Sequence, residues 1–137
     1  MKRALTLAAF AILASPLATA PVSANENAAQ RLLPHSFTQA RFEKAQKQDR
    51  LILVETYADW CAPCRIQAPI VERLRKEKRY RNLVLLRLDA NTPRSVWKGF
   101  GLAGFGQFVV FRGQHEIRRG SPLTEREMRA LLSEKKR

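Results

Sequence analysis

The chain has 137 residues, with 25 Lys and Arg against 12 Asp and Glu, a formal net charge of +13, and only two cysteines. Two cysteines exclude a larger disulfide framework. The basic excess bears on solubility and association rather than on fold, and no aromatic-interleaved basic motif points to nucleic acid.

Lys2 and Arg3 precede an apolar run from Ala4 to Ala14, which is too short to span a bilayer comfortably. Val22-Ser23-Ala24 then offers the small residues of a cleavage site. Residues 1–24 are therefore expected to be a signal peptide cut after Ala24, and the protein to be exported to the periplasm. An uncleaved membrane anchor is the alternative, and the shortness of the run weighs against it. Residues 25–34 are expected to form a mobile lead-in, and residues 35–137 a single domain. The chain beyond the leader is long enough to bury roughly 65% of its unfolded surface. It needs no disulfide for stability, which frees the cysteine pair for chemistry.

Ser36 is placed to cap a helix over roughly 37–48, with Phe37, Ala40, Arg41 and Ala45 as a weak stripe. Leu51 to Tyr57 reads as a buried strand. A helix is expected from about Cys64 to Lys78, with Ile66, Ile70, Val71 and Leu74 on one face. Pro69 should kink it. Leu83 to Leu88 reads as a second buried strand. Thr92-Pro93 suggests a cap and first-turn proline for a short helix ending near Gly99 or Gly101. Phe108 to Phe111 reads as a third strand, turned at Gly113-Gln114 into a fourth over His115 to Arg119. Thr124-Glu125-Arg126-Glu127 is a capping box, opening a last helix to about Lys135. The order predicts an α/β fold: a mixed central sheet of about four strands with helices on both faces. Trp97 and Phe100 read as core residues.

The cysteines occur as Trp60-Cys61-Ala62-Pro63-Cys64, directly after the buried strand. At this spacing on a strand-to-helix turn, two thiols can close a small disulfide ring. The first lies at a helix N-terminus, where unpaired N–H groups and the macrodipole favour a thiolate. That is what thiol–disulfide exchange requires. Arg65, one turn on, adds to the field.

Three features together resemble the thioredoxin family: Ala58-Asp59-Trp60-Cys61-Ala62-Pro63-Cys64-Arg65, Pro69 eight residues after Cys61, and Leu88-Asp89. Gly101 to Phe111 also fits the family's G-x-x-G-x-P-T-x-x-x-F pattern, with two departures. The similarity covers about Phe37 to Leu132, and Tyr57 to Cys61 is especially similar to the C-terminal domain of the DsbD family of transmembrane thiol reductases. The resemblance implies a thioredoxin-like fold. It casts Cys61 as a partly exposed attacking thiol, Cys64 as the more buried resolving thiol, and Trp60 and Pro63 as substrate-facing neighbours. It also casts Glu55 as a buried acid that accepts the proton of Cys64. Burial on an apolar strand would raise the pKa of that acid toward neutrality. The alternative for Glu55 is an escape to solvent or a pairing with a lysine.

The two departures are Gly106, where the family has a cis-proline, and Gln107, where it has threonine. In relatives, that proline packs on the cysteines and the backbone before it, here at Phe105, offers a short β-pairing edge to substrate. A cis bond before glycine costs roughly 2.5–4 kcal/mol, against about 0.5–1 before proline. The Phe105–Gly106 bond is therefore expected to be trans and the loop freer, and proline at 106 is expected to improve turnover of protein disulfides.

The resemblance implies an exported thiol–disulfide oxidoreductase of reducing type, acting on protein disulfides or thiols without a cofactor. Pro63 before Cys64 is similar to the reducing members, near about −270 mV rather than about −120 mV. Because the periplasm is kept oxidising, a membrane thiol reductase is the expected electron donor. Arg73, Arg75, Lys76, Lys78, Arg79 and Arg81, with Lys135, Lys136 and Arg137, read first as a solvated surface that keeps the protein soluble; the functional alternative is weak association with an anionic membrane surface or with acidic partners. No metal is expected, because His35 and His115 lie far apart and the cysteines give half a zinc site. The alternatives are a Cu(I)-binding protein, its two thiolates reached through a gap left by the missing proline, and a binding module with little redox activity.

Overall fold

The computed structural model describes residues 35–134. The expectations for residues 1–34, Ala24 among them, and for Lys135 to Arg137 lie outside the described residues. Helix α1 (Gln39–Lys47) leads into strand β1 (Leu51–Thr56), then α2 (Ala62–Arg75), β2 (Val84–Leu88) and α3 (Arg94–Gly99). The hairpin of β3 (Phe108–Arg112) and β4 (His115–Gly120) comes next, and α4 (Glu125–Leu132) closes the domain. The four strands form one sheet in the order β2-β1-β3-β4. β1 and β2 are parallel, whereas β3 is antiparallel to both β1 and β4.

All six residues of β1 are buried, as a central strand between two covered faces requires. Its alternation divides the core. Leu51 and Leu53 face Ile70, Val71 and Leu74 of α2 and Met128, Leu131 and Leu132 of α4. Ile52 and Val54 face Phe42 and Ala45 of α1 and Trp97 of α3. Helices thus cover both faces. Phe100 packs edge-on against Phe37 and Phe42, at centroid distances of 5.4 and 5.1 Å. Trp97 is a core residue as read, and Phe100 is partly buried against the same cluster.

Several boundaries differ from the sequence reading for local reasons. Thr38 rather than Ser36 caps α1, its Oγ1 accepting from Arg41 N–H. Ser36 is instead buried in a parallel bridge to Arg87, and Phe37 joins the core rather than a helix stripe. Phe42, which the stripe omitted, is the apolar anchor of α1, and Ala40 is exposed. Helix α2 begins at Ala62, capped by Cys61, and ends at Arg75; it runs unbroken through Pro69. Ile66 is exposed and Gln67 is buried in its place. Thr92 does not cap α3, because its hydroxyl is engaged with Asp89. The Thr124–Glu127 capping box forms as read, and α4 stops at Leu132. Among the described residues no helix is long and apolar enough to cross a membrane.

Candidate functional site

Strand β1 ends at Thr56, and four residues, Tyr57 to Trp60, carry the chain from there to the cap of α2. Cys61 is that cap, with extended backbone (φ −76°, ψ 113°), and its Sγ accepts from Cys64 N–H at 3.3 Å. This is the capping role a serine oxygen plays elsewhere. It puts a backbone donor and the positive helix end on one sulfur. Pro63 fits in the first turn, where a missing N–H costs nothing. Cys61 and Cys64 are joined as a disulfide, with Cα atoms 5.3 Å apart.

Cys64 is 1% exposed and Cys61 4%. The second cysteine is therefore the deeper one as expected, while Cys61 is buried rather than partly exposed. Ala58 and Phe105 close over the pair. The exposed neighbour is Trp60, 69% accessible, whose ring meets Phe105 edge-on at 4.7 Å. Phe105 in turn stacks edge-on against Trp97 at 5.0 Å. Cys64 Sγ lies 3.7 Å from the carbonyl oxygen of Thr56, the acceptor its thiol would meet on reduction. A cleft of about 330 Å³ beside the pair is lined by Tyr57, Ala58, Asp59, Trp60, Arg87 and Asp89, among others. A larger one, about 830 Å³, runs along β4 and the start of α4; neither cleft is lined by a cysteine.

Glu55, on β1, is buried, and its Oε1 accepts from Arg87 Nε on β2 at 2.6 Å. The pairing follows from register, since Glu55 and Arg87 are direct neighbours across the parallel pair. Glu55 thus neither reaches solvent nor pairs with a lysine; its partner is an arginine that sequence reasoning missed. The Arg87 guanidinium also sits 3.7 Å from the centroid of the Tyr57 ring. Burial pushes the Glu55 carboxyl above its ordinary pKa, and Arg87 opposes that shift without cancelling it.

The loop before β3 differs most from expectation. The Phe105–Gly106 bond is trans, as expected, but the loop is not loose. Gly106 has φ +73°, the left-handed region that glycine enters without strain. Its N–H donates to Thr56 O at 2.9 Å, and its carbonyl accepts from Gln67 Nε2 at 3.0 Å. Gln107 Oε1 accepts from the N–H groups of Ala103 and Gly104 at 3.0 and 3.1 Å. Gln107 N–H donates to Thr56 Oγ1 at 2.9 Å. No gap replaces the proline: a β-carbon at 106 would lie 3.2 Å from both Gln67 Oε1 and Pro63 Cγ. Among the described residues no group of three or more His, Cys, Asp or Glu is arranged to hold a metal ion. His35 instead lies 3.3 Å from Glu72 and 3.2 Å from Arg75, and His115 is exposed at the start of β4.

Residues 34–134 match the family described as Thioredoxin. The thioredoxin of Chlamydia muridarum is 31% identical over 85 residues, which are 62% of this chain and 81% of that protein. Protein disulfide isomerase-like 2-1 of rice is 35% identical over 71 residues, 51% of this chain but only 19% of that protein. The chain therefore spans a small part of the disulfide isomerases it matches and most of a bacterial thioredoxin. Among solved structures, thioredoxin from Fasciola hepatica superposes with a TM-score of 0.60 at 28% identity, covering 72% of this chain and 95% of that one. Trxlp from Edwardsiella tarda gives 0.68 at 23% identity, covering 73% and 98%.

Proposed function

The chain belongs to the thioredoxin family, and on that premise we propose that it is an exported protein thiol–disulfide oxidoreductase of reducing type. The observation that carries the thiol–disulfide chemistry is Cys61 as the cap of α2, bonded to Cys64 and accepting its N–H. In the reduced protein, the Cys61 thiolate attacks one sulfur of a substrate disulfide and expels the other as a thiolate. Cys64 loses its proton and attacks Cys61 Sγ, which releases the second substrate thiolate. Two electrons pass to the substrate, and the Cys61–Cys64 disulfide forms. In this scheme Glu55 takes up the proton of Cys64, with Arg87 holding the carboxylate in place. Substrate lies against Trp60 and Pro63 and pairs with the open backbone of Phe105.

The reducing direction is supported by Pro63 before Cys64. Export is supported by the leader-like pattern of residues 1–24, which lies outside the described residues. A membrane thiol reductase as electron donor rests on the likeness of Tyr57 to Cys61 to the C-terminal domain of the DsbD family. Lys76, Lys78, Arg79 and Arg81 lie past the far end of α2 from the disulfide. They would let the protein rest weakly on an anionic membrane with the disulfide facing away. A midpoint potential measured in a dithiothreitol or glutathione series tests the direction. A value near about −270 mV is expected, and one near about −120 mV would make the protein an oxidant.

A further inference from the structure

Gln67 is a polar side chain, 1% exposed, on the core-facing side of α2, one turn beyond Cys64. Its amide donates to Gly106 O and to Pro122 O, both at 3.0 Å. Both donor hydrogens are thus spent on loops far apart in sequence, one before β3 and one between β4 and α4. Its Oε1 occupies the side of Gly106 where a β-carbon would stand. Glutamine at 67 and glycine at 106 therefore fit as a pair.

With Gly106 N–H held by Thr56, Gly106 O by Gln67, and the N–H groups of Ala103 and Gly104 by Gln107, the loop's open edge is at Phe105. The large apolar side chains left exposed among the described residues are Trp60, Ile66 and Leu123. Each adjoins what Gln67 organises. Trp60 meets Phe105, Ile66 precedes Gln67 on α2, and Leu123 is next in the chain after Pro122. Of the three, Trp60 is in contact with that edge; a small disulfide needs no backbone edge to pair with, whereas an extended chain does.

We infer that Gln67 is a positioning residue for protein substrates. By tying the Gly106 and Pro122 loops to α2, it fixes the Phe105 edge beside the disulfide. It selects extended polypeptide disulfides over small-molecule ones. The inference deepens the proposed function and rests on it.

The test compares reduction of insulin with reduction of hydroxyethyl disulfide by the full chain, in wild type, Gln67→Met and Gln67→Glu. Methionine keeps the length and removes both donors. Glutamate keeps the shape and, when ionised, donates nothing. In both variants KM for insulin should rise about tenfold, the equivalent of about 1.4 kcal/mol of docking energy. The kcat for insulin, the rate with hydroxyethyl disulfide and the midpoint potential should each stay within about twofold. Lowering the pH of Gln67→Glu restores one donor as the carboxyl protonates, so its insulin KM should fall toward wild type. An unchanged insulin KM, or parallel losses on both substrates, would overturn the role. Should Gln67→Met not fold, the pH series on Gln67→Glu decides alone. Failure of the wild type to reduce either disulfide would instead sink the proposed function.

Discussion

Substitution of Gly106 separates two accounts of this site. If glycine merely loosened a loop that relatives hold with proline, proline here would restore order and speed protein reduction. The structure predicts the reverse. At φ +73°, a residue with a β-carbon costs roughly 1–2 kcal/mol in backbone strain alone. An alanine β-carbon also stands 3.2 Å from Gln67 Oε1 and Pro63 Cγ, so Gln67 must shift and its two hydrogen bonds weaken at roughly 1 kcal/mol each. Gly106→Ala should therefore cost about 3–4 kcal/mol in total. Proline cannot follow at all: its ring fixes φ near −65°, and it lacks the N–H that bonds Thr56 O. Gly106→Pro must therefore change the backbone at 106 and lose the bond to Thr56 O, so it should be destabilised too. Urea unfolding with unchanged m-values reads the stability, and insulin reduction reads the site. Both variants should be less stable, and Gly106→Pro should turn insulin over more slowly than wild type. Gly106→Pro that is as stable as wild type and faster on insulin would refute this reasoning.

The thiol pair and Glu55 give three further expected outcomes. In the reduced protein Cys61 should alkylate faster than Cys64 and be half-titrated below the free-thiol value of about 8.5, because Cys64 N–H and the helix end favour its thiolate; faster labelling of Cys64 would reverse the assignment. Cys64→Ser should accumulate mixed disulfides with partners on non-reducing gels while Cys61→Ser accumulates few, and equal trapping by both would remove the division of labour. Glu55→Gln should slow release of the mixed disulfide more than its formation in stopped-flow exchange, and it should also change the pH dependence of stability. The raised Glu55 pKa means the folded chain holds that proton more tightly than the unfolded chain does. Wild-type stability therefore falls as pH rises from the ordinary value near 4.5 through the raised one, and the neutral amide of Glu55→Gln removes this loss. Urea titrations across pH 4 to 8 should show the difference moving in favour of Glu55→Gln over that window, whereas a constant offset would show that the carboxyl is not perturbed.

The parts of this fold legible in the sequence are those whose cause is local. The run Leu51–Val54 reads as a buried strand because nothing in it needs water. Thr124 and Glu127 announce α4 because a capping box closes within one turn. The thiol site is legible for the same reason, since Cys61, Pro63 and Cys64 all fall within a single helix start. What was not legible depends on register and on distant loops. Arg87 is the partner of Glu55 only because β1 and β2 align those two positions. Helical spacing assigned Ile66 to the core, but the buried position is Gln67, and no periodicity predicts a buried glutamine. Its burial is explained by carbonyls at Gly106 and Pro122. Without them it would carry a desolvation cost that no neighbour offsets.

The same distinction explains why the replaced proline misleads. Read along the chain, Gly106 looks like a constraint removed, since proline limits φ and glycine does not. In the folded protein, Gly106 is constrained by hydrogen bonds from both sides, and Gln107 closes the loop with its own side chain. Rigidity has passed from a covalent ring to a network of side-chain amides. A ring holds its shape in the unfolded chain too, whereas these amides act only once α2, β1 and the loop have met. The ordering of the Phe105 edge is therefore coupled to the packing of α2. A change in Gln67, which touches no sulfur, should reach the substrate before it reaches the disulfide.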